Sequence, residues 1–462
     1  MRRAFPVLLI LIPAAVAAEQ ITGLWLGTIE AGKVTLRTVL HVNRSAHGLT
    51  GSLDIIDQGS AGLPLNSITV EGKSVRFTLD RIVASFEGTL TENEMRGAWQ
   101  QPNVSVPLIF KRTDHPPEIV RPQDPHPPYP YIEEEVRFHN FKAGIKFNGI
   151  LTLPRSAGRH PAVMLVAAPG PLDHNGTFFG HKPFLILADH LTRNGIAVLR
   201  VDGRGTGRTG GAPNQGLRAD FVQDTLAAVT FLKSRREIDA RRIGLAGYHE
   251  GGLIATEAAA ASADVRFLVL MAAPCLPGKQ LLQMQAEIIL KGMSMPPEIL
   301  AAYHAVERIA FDVLAREGDY AMALRKIREL ATAVPRAESV LPLLETQLNA
   351  PNVPLFRESL AYDPQPTLAR VKAPVLVIHG ERDLEIPSQP NLASARQTLE
   401  SRGNADYQIL PLAGLNHLFQ TAPLGVRSEY AKIEETIAPA ALEAVSTWIA
   451  SHSNRPTGEP AR

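Results

Sequence analysis

From residue 133 onward, short apolar runs alternate with segments of helical periodicity, and this alternation constrains the fold more than any other feature of the chain. The apolar runs have the length of buried strands and cover residues 163–167, 196–201, 243–246, 265–271, 374–378 and 407–410. Between two of them, Val222, Leu226, Val229 and Leu232 recur at helical spacing. Strands that are apolar throughout are typical of a parallel sheet covered on both faces. The pattern therefore predicts an α/β fold, a doubly wound and mostly parallel sheet with helices on both sides.

Two further segments complete this picture. Residues 133–139 and 145–153 alternate like the arms of a hairpin that leads into the sheet. Residues 276–360 are rich in helix formers and carry no strand pattern, so we expect a helical cap inserted after the sixth strand, over the carboxyl edge of the sheet. Helical packing with no role in ligand access is the alternative for this segment.

The N-terminal quarter of the chain has a different pattern. Residues 21–112 read as short alternating segments separated by turns, which predicts a small all-β barrel or sandwich. Seven prolines between Pro116 and Pro130 favour extended backbone and mark a boundary. We therefore predict an all-β domain at 19–112, a proline-rich linker at 113–131, an α/β domain at 132–454 and a polar tail at 455–462.

The first 18 residues have the features of a secretory signal. Two arginines precede a short apolar run that ends in small residues at 14–18. The run is too short to span a bilayer as a helix, and no later segment supplies a membrane span. We expect a periplasmic or secreted protein, and the single Cys275 cannot form an internal disulfide.

Charge restricts the classes of partner. The 47 lysines and arginines nearly balance 46 aspartates and glutamates, so no strong field attracts nucleic acid or an anionic membrane surface. A small-molecule ester or another small apolar ligand is favoured, and no nucleic-acid partner is expected.

The strongest candidate site follows the apolar run at 243–246. Gly247-Tyr248-His249-Glu250-Gly251 is a strand-to-helix turn with glycines on both sides of a central residue, the context of a nucleophile elbow. Such turns hold the central residue in strained backbone geometry, and small neighbours are needed because strand and helix pass closely. The central residue is a histidine, where an elbow of this type ordinarily has a serine.

An acid and a histidine follow the elbow in the chain. Asp383 lies in the loop after the strand at 374–378, and His417 lies in the loop after the strand at 407–410. Loops that leave the carboxyl ends of parallel strands meet at one edge of the sheet. The order elbow, acid, histidine therefore predicts that His249, Asp383 and His417 converge there.

These residues carry a resemblance to a known family. From Phe138 to about His452 the chain resembles bacterial esterases of the α/β-hydrolase superfamily that have a β-rich N-terminal domain. The resembling segments are 180–184, 202–207, 362–364, the Asp383 loop and 415–420. The resemblance implies that Asp383 orients His417 and that His417 acts as a general base.

Two positions depart from the family pattern. His249 occupies the place of the serine nucleophile. In the loop after Ala167, Pro169 has no N–H and stands where one of two oxyanion donors is expected. The remaining oxyanion-hole candidates are Glu250 and Gly170.

Three classes of function remain open on the sequence. The first is an esterase-type hydrolase with impaired or lost activity, and the second is a catalytically silent protein that binds a ligand or partner. The third is a metal-assisted hydrolase that uses His249, His417 and Asp383, with His174 as a further ligand. A His-Glu-x-x-His signature is absent from the sequence, and no cofactor is expected.

Overall fold

A computed structural model describes residues 20–453, apart from 33, 46–47, 103, 118–120, 214–215, 293–294, 349–352 and 402. The predicted signal at 1–18 and tail at 455–462 lie outside the described residues. The chain divides into two compact units. The first reaches Pro122 and includes Phe178–His181 and Arg427–Glu434, and the second holds the rest. None of the helices in the described ranges is both long and apolar enough to cross a membrane.

The first unit contains one nine-stranded antiparallel sheet. Its strands are β1 (Gly23–Ala31), β2 (Val34–Ser45), β3 (Gly48–Ile55), β4 (Ser60–Pro64), β5 (Ser67–Glu71), β6 (Ser74–Leu79), β7 (Ala84–Leu90), β8 (Glu94–Gln101) and β9 (Val104–Arg112). The order across the sheet is β4-β3-β2-β1-β9-β8-β7-β6-β5. The two edge strands β4 and β5 are consecutive in the chain, so the sheet curls to bring its edges together. A single curled sheet agrees with the barrel alternative and not with a two-sheet sandwich.

Aromatic side chains fill the interior of this curled sheet. Phe86 stacks on Phe77 with ring centroids 5.1 Å apart, and it meets Phe110 edge to face at 5.4 Å. Trp25 and Trp99 are fully buried in the same cluster. Burial alternates along β6, as the period of two along a strand requires.

The second unit is built on an eight-stranded sheet. Its strands are β10 (Ile132–Asn140), β11 (Ile145–Leu153), β12 (His160–Val166), β13 (Ala197–Val201), β14 (Ile238–Tyr248), β15 (Leu268–Met271), β16 (Val375–Gly380) and β17 (Tyr407–Leu412). The order is β10-β11-β13-β12-β14-β15-β16-β17. β11 pairs antiparallel with both neighbours, and the other strands pair in parallel. This arrangement is that of the α/β-hydrolase fold, and the predicted fold class is confirmed.

Helices cover both faces of this sheet. They are α1 (Pro183–Arg193), α2 (Arg218–Ser234), α3 (Glu250–Ala261), α10 (Ser388–Ser401) and α11 (Pro439–Ser453). Alternate residues of β12 point to opposite faces, so Met164 joins the core under α2, α3 and α10, whereas Leu165 joins the core under α1 and α11. The sheet is therefore buried on both sides, as the continuous apolar strands predict.

Between β15 and β16, the sixth and seventh strands of this sheet, the described residues form six helices. They are α4 (Gly278–Gly292), α5 (Pro297–Arg316), α6 (Tyr320–Ala331), α7 (Ala337–Gln347), α8 (Val353–Ala361) and α9 (Gln365–Leu368). α5, α6 and α7 share a hydrophobic core of their own that includes Tyr303, Ile327 and Leu344. The helical insertion predicted for this segment is present.

Candidate active site

The turn between β14 and α3 has the strained geometry of an elbow. His249 has φ 54° and ψ −127°, a region that side-chain-bearing residues rarely adopt. Its N–H donates to the Met271 carbonyl at the end of the neighbouring strand, and its carbonyl accepts from the Gly252 N–H. Both hydrogen bonds hold the backbone of His249 at the carboxyl edge of the sheet.

Glycines make this turn sterically feasible. A Cβ at Gly251 would lie 2.1 Å from the Val166 carbonyl oxygen, and one at Gly247 would lie 2.5 Å from the Gly251 carbonyl oxygen. Both distances are far below van der Waals contact, and backbone atoms cannot move aside easily. The two glycines that flank the elbow in the sequence are therefore a steric requirement of the close approach of strand and helix.

Asp383 and His417 form a buried hydrogen-bonded pair. The His417 Nδ1 lies 2.8 Å from Asp383 Oδ2, and both side chains are almost completely buried. The other carboxylate oxygen, Oδ1, accepts the N–H groups of Glu385 and Ile386 at 2.9 and 2.8 Å. The carboxylate therefore orients the imidazole while backbone donors orient the carboxylate.

The loop that carries His417 is held from two directions. The Asn416 side-chain oxygen accepts the N–H groups of Leu418 and Gln420 at 3.0 and 2.9 Å. The Tyr248 hydroxyl donates to the His417 carbonyl oxygen at 3.1 Å. The residue before the elbow histidine thus anchors the loop of the second histidine.

The structure brings the three predicted site residues together. The rings of His249 and His417 meet at nearly a right angle, with centroids 5.0 Å apart. Asp383 lies on the far side of His417, bonded to Nδ1. His174, the further metal-ligand candidate, instead pairs with Asp202 through Nδ1 at 2.8 Å and is outside this group.

Two side chains near the pair were not singled out from the sequence. The Glu385 carboxylate Oε2 lies 4.0 Å from the His417 Nε2. His379, on β16, is fully buried behind the pair, and burial lowers the pKa of its imidazole to about 4. Because Glu385 follows Asp383 by two residues, the Asp383 loop motif is the signal that could have identified it. His379 lies within an apolar strand and gives no such signal.

The oxyanion-hole candidates lie in two segments. Glu250 is the first residue of α3, so its N–H has no acceptor within the helix and points toward the helix N-terminus. The elbow packs on the start of the other segment, because a Cβ at Gly251 would also approach the carbonyl carbon of Ala167 at 2.8 Å. In that loop Pro169 supplies no N–H, and Gly170 has φ 145°, which favours glycine.

A cavity of about 380 Å³ opens above the elbow. His249 and Glu250 contribute polar groups to its wall, together with Gln285 and Tyr362. Its apolar lining comes from residues on α3, on α4 and in the connecting loops: Leu253, Pro274, Leu276, Leu281, Leu282 and Ile386. The cap helix α4 therefore shapes the space into which His249 projects.

Ionisable side chains line this cavity or lie close to its lining. Burial raises the pKa of the Glu250 carboxyl, and the nearby Arg218 opposes that rise. The Arg218 guanidinium lies over the Tyr362 ring at 3.7 Å, and burial raises the pKa of the Tyr362 hydroxyl to about 12. The wall of the cavity thus includes a carboxyl group and a phenol that are both shifted by burial toward their neutral forms.

Comparisons with known proteins agree with this geometry. Residues 161–352 match the model of a family described as serine aminopeptidase, S33. Esterase EstD of Thermotoga maritima is 26% identical over 270 residues, which cover 58% of this chain and 57% of that protein. Thiohydrolase aneE of Aspergillus aculeatus is 35% identical over 129 residues, which cover 27% of this chain and 37% of that protein. The chain thus spans little more than half of one curated relative and about a third of the other.

Solved structures give a more distant similarity. Est1E from Butyrivibrio proteoclasticus, bound to ferulic acid, matches 69% of this chain and 100% of its own, with 16% identity and a TM-score of 0.42. An esterase of Pyrococcus furiosus matches 74% of this chain and 99% of its own, with 15% identity and a TM-score of 0.43. By its strand order and its elbow turn the chain has the α/β-hydrolase fold, and over 58% of its length it is similar to the Thermotoga esterase.

Proposed function

We propose that this protein binds a small ester, or another small apolar ligand, in the cavity above His249, and that serine-type ester hydrolysis is weak or lost. The observation that carries this proposal is the position of His249. It occupies the strained centre of the elbow, beside an intact His417–Asp383 pair and at the base of the cavity. Asp383 is in place to orient His417 as a base, but the residue that His417 would activate carries an imidazole and no hydroxyl.

Two features reduce the capacity for acyl transfer. An elbow histidine offers no hydroxyl, and an acyl-imidazole would need space beside the His417 ring, whose centroid is only 5.0 Å away. Pro169 lacks the N–H expected of the second oxyanion donor. Loss of one such donor typically reduces turnover about 100-fold to 1,000-fold.

Ligand binding does not depend on either of these features. The cavity of about 380 Å³ lies within the range of small-molecule sites, roughly 300–1,000 Å³, and its wall is mainly aliphatic. The Glu250 N–H at the start of α3 supplies a donor for a carbonyl oxygen. A short acyl ester satisfies both the apolar wall and the polar base.

The experiment compares ester hydrolysis by the wild-type protein with that of His249→Ser, using p-nitrophenyl acetate and butyrate in the presence of a chelator. We expect wild-type turnover near background and a measurable gain in the variant. His126→Ser, which changes an exposed histidine, is the control and should stay at background. Wild-type turnover equal to or above that of His249→Ser would contradict the loss of serine-type hydrolysis.

Binding is measured separately. Methyl butyrate should displace an environment-sensitive apolar dye from the cavity of the wild-type protein. Leu281→Trp, which fills the aliphatic wall contributed by α4, should abolish this competition while Leu330→Trp, at an exposed position on α6, should not. Equal competition in both variants would contradict a ligand site in this cavity.

We also propose that the protein acts outside the cytoplasm, in the periplasm or the medium. The charged start, short apolar run and small residues before position 19 support this location. N-terminal sequencing of protein purified from the producing organism should find a mature chain that begins near Ala18 or Glu19. Cytosolic protein with Met1 intact would contradict export.

A further inference from the structure

Three side chains from separate segments converge at the base of the cavity. His249 comes from the elbow, His417 from the loop after β17, and Glu385 from the loop after β16. Each offers one ligand atom, and these three atoms all lie within 4.8 Å of one another. We propose that His249, His417 and Glu385 form a binding site for a divalent transition metal of the zinc class.

The donor set has the chemistry that zinc prefers. Two imidazole nitrogens and one carboxylate oxygen are a recurrent three-ligand set in zinc proteins, with a fourth position left for water or substrate. Zinc bonds of about 2.0–2.1 Å place tetrahedral ligand atoms about 3.3 Å apart. The distance from His417 Nε2 to Glu385 Oε2 is 4.0 Å, so only a small rotation is needed to close this pair. His249 and Glu385 are only half-buried, which leaves room for that movement.

Asp383 prepares His417 for this role. Its carboxylate lies 2.8 Å from Nδ1, so the imidazole N–H belongs on Nδ1 and the lone pair is on Nε2. Nε2 is the atom that faces Glu385. A carboxylate behind a histidine ligand is the usual outer partner in metal sites, where it fixes the tautomer and the ring orientation.

The same carboxylate also positions the second ligand. Asp383 Oδ1 accepts the backbone N–H of Glu385 at 2.9 Å and that of Ile386 at 2.8 Å. The Gln285 side chain donates to the Glu385 carbonyl oxygen at 2.6 Å, which ties the loop to α4. Asp383 is therefore an outer-shell residue in this proposal and Glu385 is the carboxylate ligand, a different assignment from the one that the sequence suggested.

The fourth coordination position faces the cavity. His249 lines both the proposed site and the cavity of about 380 Å³, and Ile386, next to Glu385, lines it as well. A water molecule or a carbonyl oxygen of a ligand can reach the metal from that side. The proposal concerns metal binding alone, so it can hold or fail independently of ester hydrolysis by the metal-free protein.

The first test is a zinc titration of protein that has been dialysed against a chelator. Isothermal titration calorimetry should show one saturable site per chain, and elemental analysis after gel filtration should find about one zinc. Cobalt(II) should give the intense visible absorption of a four-coordinate site with nitrogen and oxygen ligands. Absence of a saturable site, or a cobalt spectrum identical to that of the free aqueous ion, would overturn the proposal.

The second test uses matched variants. Loss of an outer partner typically weakens metal affinity about 10-fold to 100-fold, so Asp383→Asn should weaken zinc binding within that range. Glu385→Gln removes a ligand and should weaken zinc binding by at least about 100-fold. Glu381→Gln makes the same charge change at an exposed position in the same loop and should bind zinc like the wild type. Circular dichroism checks that each variant is folded. Equal zinc affinity of folded Glu385→Gln and Glu381→Gln would overturn the proposed ligand set.

His249→Ala provides an independent check. It removes the ligand contributed by the elbow, and it should abolish the cobalt spectrum while leaving the His417–Asp383 pair in place. The ester assays under chelation test the proposed function without metal, and the titrations test the metal site without ester. The metal-site proposal can therefore fail while the proposed function holds, and the proposed function can fail while the metal site holds.

Discussion

The imidazole of His249 meets that of His417 edge to face, with centroids 5.0 Å apart and an interplanar angle of 88°. The two histidines are 168 positions apart in the chain and reach each other because β14 and β17 end at the same edge of the sheet. The elbow turn presents one ring, and Asp383 orients the other. The edge of the sheet thus brings both imidazoles to one place.

Gly251→Ala should destabilise the second unit. The new Cβ would lie 2.1 Å from the Val166 carbonyl oxygen, so β12 and α3 would have to separate. Overpacking of this kind typically costs about 1–3 kcal/mol. Thermal unfolding followed by circular dichroism should show a lower midpoint.

The control for this change is Gly292→Ala, where an added Cβ meets no atom within 4 Å. Its midpoint should equal or slightly exceed that of the wild type, because alanine reduces the freedom of the unfolded chain. If both alanine variants unfold at the same temperature, close packing is not the reason for glycine at position 251.

His379 should make the protein less stable in acid. Burial lowers the pKa of its imidazole from an ordinary 6.5 to about 4, so the folded protein holds it neutral while the unfolded chain protonates it below about pH 6.5. The stability from this residue is complete above pH 6.5 and is lost as the pH falls through 4. Each pKa unit corresponds to about 1.4 kcal/mol, so the loss between pH 7 and pH 4 is about 3 kcal/mol.

His379→Leu, of similar volume, removes this titration. Its unfolding free energy should fall less between pH 7 and pH 4 than that of the wild type, measured by urea denaturation at each pH. The exposed His126→Gln should keep the wild-type slope. An unchanged slope in His379→Leu would show that this imidazole does not stay neutral on folding.

Glu250→Gln should change stability mainly at neutral pH, the opposite pH dependence to that expected for His379. Burial raises the pKa of the Glu250 carboxyl, so folding favours its protonated form. That contribution is present below the ordinary pKa of a glutamate and disappears as the pH rises through the folded value. The amide should therefore stabilise the protein at pH 7 and have little effect at pH 4, as measured by thermal midpoints at both pH values. Glu381→Gln, at an exposed position, should show no such difference.

The sequence predicts where the site lies better than it predicts which residues form it. Parallel strands end at one edge, so residues in the loops after β14, β16 and β17 had to meet, and His249, Asp383 and His417 do. The Asp383 loop motif also places Glu385 near the site, but it does not show that the Glu385 side chain faces His417. That contact accompanies the bond between the Glu385 backbone N–H and Asp383, which chain spacing alone does not reveal.

Two other features depend on long-range packing. A period of two predicts the strands of the first unit, but the curl that brings β4 beside β5 follows from twist accumulated over nine strands. The helix formers of the cap predict that it is helical, whereas the cavity that α4 forms with the elbow depends on which residues of α4 lie near Leu253 and Ile386. Sequence patterns carry local periodicity, and these features result from the way distant elements pack.

His249→Ser combined with Pro169→Ser should restore part of the hydrolytic site. In the single variant His249→Ser, the His417–Asp383 pair can activate the new hydroxyl, but only weak hydrolysis is expected because a missing oxyanion donor typically costs about 2.7–4 kcal/mol. Pro169→Ser supplies a backbone N–H at the deficient position. Allowing for imperfect loop geometry, the double variant should exceed the single one by at least about 10-fold in kcat/KM on p-nitrophenyl butyrate, measured with a chelator present.

Removing a proline also loosens a loop, and this effect needs its own control. His249→Ser with Pro171→Ser frees the same loop two residues further along but leaves Pro169 without an N–H. If the gain comes from a new donor, this second double variant should hydrolyse the ester no faster than His249→Ser alone. If both double variants gain equally, greater loop freedom explains the effect. If neither gains, Pro169 does not occupy the donor position.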